Sequence, residues 1–136
     1  MKKKKVLIIC IASILLIAAA LFFLMQKETF FTPSNEEIAK KVGGIYYENS
    51  YFRNLSNSAS ETELIKILSD FSDTGIIINL ENLLIYNDGE LKEEIDKIVN
   101  RKTKEPCNIR TTLVIIYPKE PFGEKDYTVE VILDCD

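Results

Sequence analysis

The chain has 136 residues, a length that suits one domain, and 46% of them are hydrophobic. It contains no histidine and no tryptophan, which excludes histidine metal sites, Ser-His-Asp and Cys-His catalysis, and the usual general base near neutral pH. The formal net charge is −4, and because the lysines at 2–5 contribute +4, the rest carries −8; this argues against nucleic-acid binding and against close adhesion to anionic lipid.

The N-terminal residues predict a membrane anchor. Val6–Met25 contains no charge and no proline, and a helix of that length spans about 30 Å, the thickness of the hydrocarbon core. Because lysines occupy positions 2–5, the positive-inside rule keeps residues 1–5 cytoplasmic and translocates the rest of the chain. We therefore expect a single-pass protein of the cell inner membrane, with its C-terminal domain periplasmic or extracellular.

Two other interpretations of this segment are open. In a cleaved signal peptide, Val6–Ile17 would be the apolar region and Ala18–Ala20 the cleavage site. Leu21–Met25 would then begin the mature protein with exposed apolar surface, which favours the uncleaved anchor. Lipidation at Cys10 is disfavoured because the bulky Ile9 precedes it and further apolar residues follow. The anchor and the signal peptide both predict export.

Residues 26–33 are predicted to form a linker, and residues 34–136 an extracytoplasmic domain. The fold class that we expect is α+β, with about three helices and a short antiparallel sheet that ends in a disulfide-linked hairpin. Ser34 and Glu37 form a capping box, which predicts the start of the first helix. Asn49–Ser50 is predicted to end it.

The middle of the chain predicts a loop and a second helix. Gly43–Gly44 weakens the first helix, and the polar stretch from Asn54 to Ser60 is typical of a loop. Ser60 and Glu63 form a second capping box. Gly75 is well placed to end the helix that follows.

A strand and a third helix are predicted next. Ile76–Tyr86 is rich in β-branched and apolar residues, although its alternation is blurred near Glu81–Asn82. Asp88 is predicted to cap a helix over Gly89–Lys102. The apolar face of that helix consists of Leu91, Ile95, Ile98 and Val99.

The last thirty residues predict an antiparallel hairpin around a turn at Pro118–Asp126. Apolar residues alternate on both sides of that turn: Ile109, Thr111, Leu113, Ile115 and Tyr117 share one parity, as do Tyr127, Val129, Val131, Leu133 and Cys135. If Cys107 lies opposite Cys135, one register aligns both apolar faces. The pairs are then Ile109 with Leu133, Thr111 with Val131, Leu113 with Val129, and Ile115 with Tyr127. A slip of one residue would break both the pairing and the face.

A disulfide between Cys107 and Cys135 is therefore predicted. Exported proteins pass through oxidising compartments where such bonds persist. The alternative is redox or metal chemistry, but the sequence has no CxxC motif and no third soft ligand in this region. We predict no catalytic residue, no metal site and no cofactor.

One aromatic cluster is a candidate partner-binding site. Tyr46 is followed closely by Tyr47, Tyr51, Phe52 and Arg53, and aromatic and arginine side chains dominate binding hot spots. We take Tyr47, Tyr51, Phe52 and Arg53 as the candidates. In the alternative interpretation Tyr46 and Phe52 pack in the core and the others lie at its edge.

The functional hypothesis is a membrane-anchored protein-binding domain of the inhibitor or immunity type. Its expected partners are the cytoplasmic membrane, through Val6–Met25, and an unidentified protein, without nucleic acid. The first alternative is an accessory subunit of an envelope, secretion or transport complex. The second is a carboxylate-based hydrolase, which needs only two acids at a defined separation.

Overall fold

The computed structural model describes residues 15–21 and 32–135. The chain divides into two compact units, Met1–Pro33 and Ser34–Asp136. In the first unit, residues 15–21 are helical; within the described residues, no helix is long and apolar enough to cross a membrane. Most of the predicted anchor, Val6–Met25, lies outside the described residues, together with the predicted basic tail and most of the predicted linker.

The second unit is a mixed helical and antiparallel domain, which confirms the predicted α+β class. In chain order its elements are α1 (Asn35–Tyr46), a π-helical segment (Tyr47–Phe52), α2 (Arg53–Ser58), α3 (Glu61–Asp70), β1 (Ile76–Asn79), α4 (Leu80–Leu84), a 3-10 turn (Tyr86–Gly89), α5 (Lys92–Ile95), β2 (Leu113–Pro118) and β3 (Tyr127–Ile132).

Both predicted capping boxes are present. At the start of α1, the Ser34 hydroxyl accepts from the Glu37 amide (3.1 Å) and the Glu37 carboxylate accepts from the Ser34 amide (2.7 Å). Ser60 and Glu63 make the same reciprocal pair at the start of α3, at 3.4 and 2.9 Å. These bonds satisfy amides that a helix start leaves without a partner.

The predicted helix end at Asn49–Ser50 and the predicted loop from Asn54 to Ser60 are wrong. The chain stays helical through Ser58. The polar side chains that suggested a loop bond to the helix itself, since the hydroxyls of Ser56 and Ser58 donate to backbone carbonyls one turn back at 3.0 and 2.9 Å. Such bonds let serine remain inside a helix.

Gly75 ends the α3 region, as predicted, with φ +74° and its amide donating to the Phe71 carbonyl at 2.9 Å. The strand predicted at Ile76–Tyr86 is wrong beyond its first four residues. The Asn79 side chain accepts from the Asn82 amide at 2.9 Å and so begins α4. A helix with a side-chain cap thus begins inside the predicted strand.

The helix predicted at Gly89–Lys102 is also wrong in its extent, since α5 has only four residues. Asp88 is not its cap but takes a left-handed conformation, φ 56°. Three of the four residues of the predicted apolar face are nevertheless buried, since Leu91, Ile95 and Ile98 are at most 3% exposed, whereas Val99 is half-buried.

The three strands form an antiparallel sheet in the order β1-β2-β3. One face carries the core, and there Val114 pairs with Val131 and with Ile78. The predicted parity of β3 is confirmed, with Val129 and Val131 on this inner face. The predicted parity of β2 is wrong, since its buried residues are Val114, Ile116 and Pro118. Every residue of β2 is apolar, so its pattern did not mark the inner face.

The predicted hairpin register is wrong by three residues, because Leu113 pairs with Ile132 rather than with Val129. The cause is one helical turn before β2, which the Thr112 amide closes by donating to the Asn108 carbonyl at 2.9 Å. Beyond this turn the predicted register applies, since the Asn108 amide donates to the Asp134 carbonyl at 2.7 Å.

The predicted disulfide between Cys107 and Cys135 is present, with 4.2 Å between the two Cα atoms. Asn35, the first residue of α1, lies against it. The side-chain Nδ2 of Asn35 donates to the Val99 carbonyl at 2.7 Å and lies 4.0 Å from each sulfur of the disulfide. The C-terminal segment, the start of α1 and the loop after Ile98 therefore meet around the disulfide at one end of the domain.

Helix α1 crosses the inner face of the sheet at Gly43 and Gly44. A Cβ atom at Gly43 would overlap the Val114 side chain, and one at Gly44 would lie 2.5 Å from the Tyr127 hydroxyl. Both glycines are buried. The two glycines that lower helix propensity are thus the residues that allow the helix to reach the sheet.

Removing the disulfide should destabilise the domain. We expect the Cys107→Ser/Cys135→Ser variant to lose about 3–4 kcal/mol of unfolding free energy, because the bond closes a long loop in the unfolded chain. Urea denaturation of the full chain measures this, with Cys10→Ser as the matched thiol control. Equal midpoints for the double variant and the control would contradict the expectation.

Filling the helix–sheet contact should also destabilise the domain. Alanine normally favours a helix interior by about 0.5–1 kcal/mol over glycine, yet we expect Gly43→Ala to cost about 1–3 kcal/mol by overpacking against Val114. Val114→Ala removes the crowded methyl groups, so the double variant should be more stable than the sum of the single changes implies. Strictly additive denaturation energies would show that crowding is not the cause.

Candidate functional site

The π-helical segment Tyr47–Phe52 lies between α1 and α2 without a break. The flanking residues Tyr46 and Arg53 both have right-handed helical backbone angles. A π-helix bonds from residue i to i+5, is rare, and occurs frequently at functional sites. Here it places Tyr47 and Phe52, five residues apart, in contact with each other.

Tyr47 is the centre of an aromatic cluster. It is 0% exposed, and its ring centroid lies 4.7 Å from that of Tyr127, 6.0 Å from that of Tyr51 and 6.1 Å from that of Phe52. These separations fall within the favourable range for aromatic pairs. The cluster fixes the π-helical segment against strand β3.

The Tyr47 hydroxyl is buried without a hydrogen-bond partner among the residues that the structure describes. Burial, together with the nearby Tyr51 and the negative charge of Asp126, raises the pKa of Tyr47 to about 12. The phenol therefore stays neutral at physiological pH. A buried hydroxyl without a partner costs about 1–3 kcal/mol of desolvation.

Glu48 attaches the same segment to the hairpin. The Tyr127 hydroxyl donates to its carboxylate at 2.7 Å, and Lys125 forms an ion pair with it. Burial alone would raise the pKa of Glu48, but the hydrogen bonds from Lys125 and Tyr127 outweigh it, so the pKa is lowered. Burial and the bond to Glu48 raise the pKa of Tyr127. Glu48 is thus ionised and bonded at neutral pH.

Two open grooves flank the π-helical segment. The first has a volume of about 320 Å³ and is lined by Tyr46, Ser50, Tyr51, Asn54, Leu55 and Ser58. Its wall combines two phenol rings with amide and hydroxyl groups. Such a surface can bury an apolar side chain of a partner and bond to its backbone.

The second groove is more polar and has a volume of about 400 Å³. Its lining residues are Asn49, Arg53, Tyr86, Asn87 and Glu90. Within this lining, the Asn87 side chain donates to the Glu90 carboxylate. Asn87 and Asp88 are left-handed, with φ 46° and 56°, and non-glycine residues in this conformation are uncommon and often lie at functional sites.

The structure separates the four predicted binding residues. Tyr51 lines the first groove and Arg53 the second. Phe52 is half-buried against the core, and Tyr47 is fully buried. Tyr46 is half-buried and packs edge-on against Tyr86 at 5.6 Å.

The sequence did not predict the other side of the polar groove, which is formed by Tyr86, Asn87 and Glu90. These residues are more than thirty positions from Arg53 in the chain. The Asn-Asp-Gly run at 87–89 is a turn signal, but it gave no indication of which segment it would face.

Comparison of the chain with models of protein families, with curated proteins and with solved structures found no match. Within residues 15–21 and 32–135, no three cysteine, aspartate or glutamate side chains are grouped as a metal ion would require.

Removing the two phenol hydroxyls of the aromatic cluster should have opposite effects. Tyr47→Phe deletes a buried hydroxyl without a partner and should leave stability unchanged or raise it by up to about 2 kcal/mol. Tyr127→Phe deletes the bond to Glu48 and should cost about 1 kcal/mol. Thermal and urea denaturation measure both variants side by side. A Tyr47→Phe variant less stable than Tyr127→Phe would contradict this description of the cluster.

Proposed function

We propose that residues 34–136 form a protein-binding domain on the outer side of the cytoplasmic membrane, held there by an anchor at Val6–Met25. In this proposal the domain acts as an inhibitor or immunity-type protein that occludes the active site of an incoming toxin or hydrolase. The contact surface consists of the exposed side of residues 46–58 and the loop at 86–90, which we call the π-helix surface.

The observation that carries the proposal is the arrangement of Tyr51 and Arg53 on one continuous helical segment, where Tyr51 lines one open groove and Arg53 lines the other. Aromatic and arginine side chains contribute most to binding when they are fixed in advance, because little conformational entropy is then lost. The buried ring of Tyr47 stacks under Tyr51, and Arg53 donates to Asn49 at 3.4 Å. The ring of Tyr51 is thus packed in place before any partner arrives.

Charge and oxidation state support the remaining parts of the proposal. The chain after residue 5 carries a net charge of −8, which favours attraction of a basic partner. The disulfide between Cys107 and Cys135 suits a compartment outside the cytoplasm, where such bonds persist. An anchored acidic domain of this kind would intercept a partner at the membrane.

The test is site-specific photo-crosslinking in intact cells that express the full chain. A photoreactive phenylalanine analogue at position 51 or 53 should yield one discrete adduct, whose partner is then purified. With that partner, Tyr51→Ala should weaken binding about 30-fold, the size of a hot-spot effect. Fractionation of the same cells should place the chain in the membrane.

Tyr117 supplies the matched control, because it is a tyrosine on the outer face of the sheet that bonds to Glu130 at 3.2 Å. Tyr117→Ala removes the same side chain away from the π-helix surface and should leave affinity unchanged. Equal losses for Tyr51→Ala and Tyr117→Ala would contradict the assignment of this surface. A chain found in the cytosolic fraction would contradict the location.

A further inference from the structure

We propose that the basic loop at residues 101–104 docks the domain on the anionic phospholipid headgroups of the membrane that anchors it. The contact would fix how the domain is oriented, with the start of α1 facing the lipid. This inference rests on the proposed anchor at Val6–Met25, and its test separates the two.

Hydrogen bonds hold the basic loop in one shape. The Asn100 amide donates to the Glu105 carbonyl at 2.8 Å, and the Lys104 amide returns to the Asn100 carbonyl at 2.8 Å. The Asn100 side chain accepts from the amides of Lys102 and Thr103 at 2.9 and 3.2 Å. Asn100 also donates to the Cys135 carbonyl, so the loop is attached to the disulfide.

The loop holds three cations that form no ion pair with the residues described at 32–135. Arg101, Lys102 and Lys104 are exposed. Across residues 32–135, the ion pairs occupy Lys40, Lys41, Lys66, Lys92, Lys97, Arg110 and Lys125. None of the three loop cations is among them. An Arg guanidinium can donate to phosphate oxygens in pairs, and Lys adds a point charge.

The loop also lies where the chain enters the domain. Asn35 begins α1 and donates to the Val99 carbonyl, directly before the loop. Residues 26–33 connect the proposed anchor to this point, and eight residues span at most about 28 Å when fully extended. A membrane surface is thus within reach of the loop by chain length alone.

The net charge of −8 after residue 5 does not prevent this contact. Charges more than about 8 Å apart are largely screened at physiological ionic strength, so the local charge decides. Glu105 follows the loop directly in the chain, and the pKa of Glu37 is lowered by the hydrogen bonds from Ser34, to which the charge of Arg101 adds. Residues 101–105 thus carry three cations and one carboxylate, whereas the domain as a whole has the opposite sign.

The test uses the full chain in vesicles, with Cys10→Ser so that Thr103→Cys is the free thiol that takes an environment-sensitive dye. Headgroup-borne quencher then reports loop contact in bilayers with and without phosphatidylglycerol. Because each cation near an anionic surface contributes about fivefold, the Arg101→Gln/Lys102→Gln/Lys104→Gln variant should reduce the contact equilibrium at least tenfold.

The control variant Lys66→Gln/Lys92→Gln/Lys119→Gln removes the same charge elsewhere and should leave quenching unchanged. A second control places the dye at Glu124→Cys in the hairpin turn, at the opposite end of the sheet from the disulfide, and should show little quenching. Equal quenching of position 103 in anionic and zwitterionic bilayers would overturn the docking, as would equal effects of the two triple variants.

Retention of the chain on vesicles after alkaline washing keeps the two proposals distinct. If the chain is retained but the dye at position 103 is not quenched, the docking proposal is wrong and the anchor proposal stands. A chain that the wash releases sinks both.

Discussion

The structure depends on the close approach of helix α1 to the sheet at Gly43 and Gly44. With any side chain at these positions, Val114 or the Tyr127 hydroxyl would have to move. The approach brings the end of α1 over strand β3, so that the ring of Tyr47 packs at a tilt against that of Tyr127 and Glu48 bonds to the Tyr127 hydroxyl. The π-helical segment, and with it both grooves, is positioned by two residues that have no side chain.

Features encoded over a few neighbouring residues could be predicted from the sequence. The capping pairs of Ser34 with Glu37 and Ser60 with Glu63 need only a spacing of three, and both are present. The disulfide was predicted correctly because its two cysteines lie beyond the helical turn that displaces the hairpin. For the candidate site, the sequence singled out the segment in which Tyr51 and Arg53 line the two grooves, and the role of these residues in binding stays a prediction.

Features that depend on distant residues could not be predicted. Strand β2 is apolar on both faces, so only its packing against α1 decides that Val114 is buried. At the change from strand to helix after Asn79, the amides of Leu80 and Glu81 donate to the distant carbonyls of Thr112 and Ile109 at 3.2 and 3.0 Å. Tyrosine is a residue type common in binding sites, which is why Tyr47 was a candidate. Its burial follows from the π-helical spacing and from contact with the ring of Tyr127, eighty residues later in the chain. Local patterns describe which surfaces are apolar, whereas contacts between segments decide which of them are covered.

Asn35 and Cys135 lie side by side, since the side-chain Nδ2 of Asn35 is 4.0 Å from the Cys135 sulfur. The chain therefore enters and leaves the domain at one point, and the hairpin turn at the far end of the sheet is exposed. A fold with this arrangement tolerates circular permutation, in which a few residues join residues 35 and 135 and new termini are opened in an exposed loop. For the same reason, residues 35–135 are suited to insertion as a domain into a surface loop of an unrelated protein.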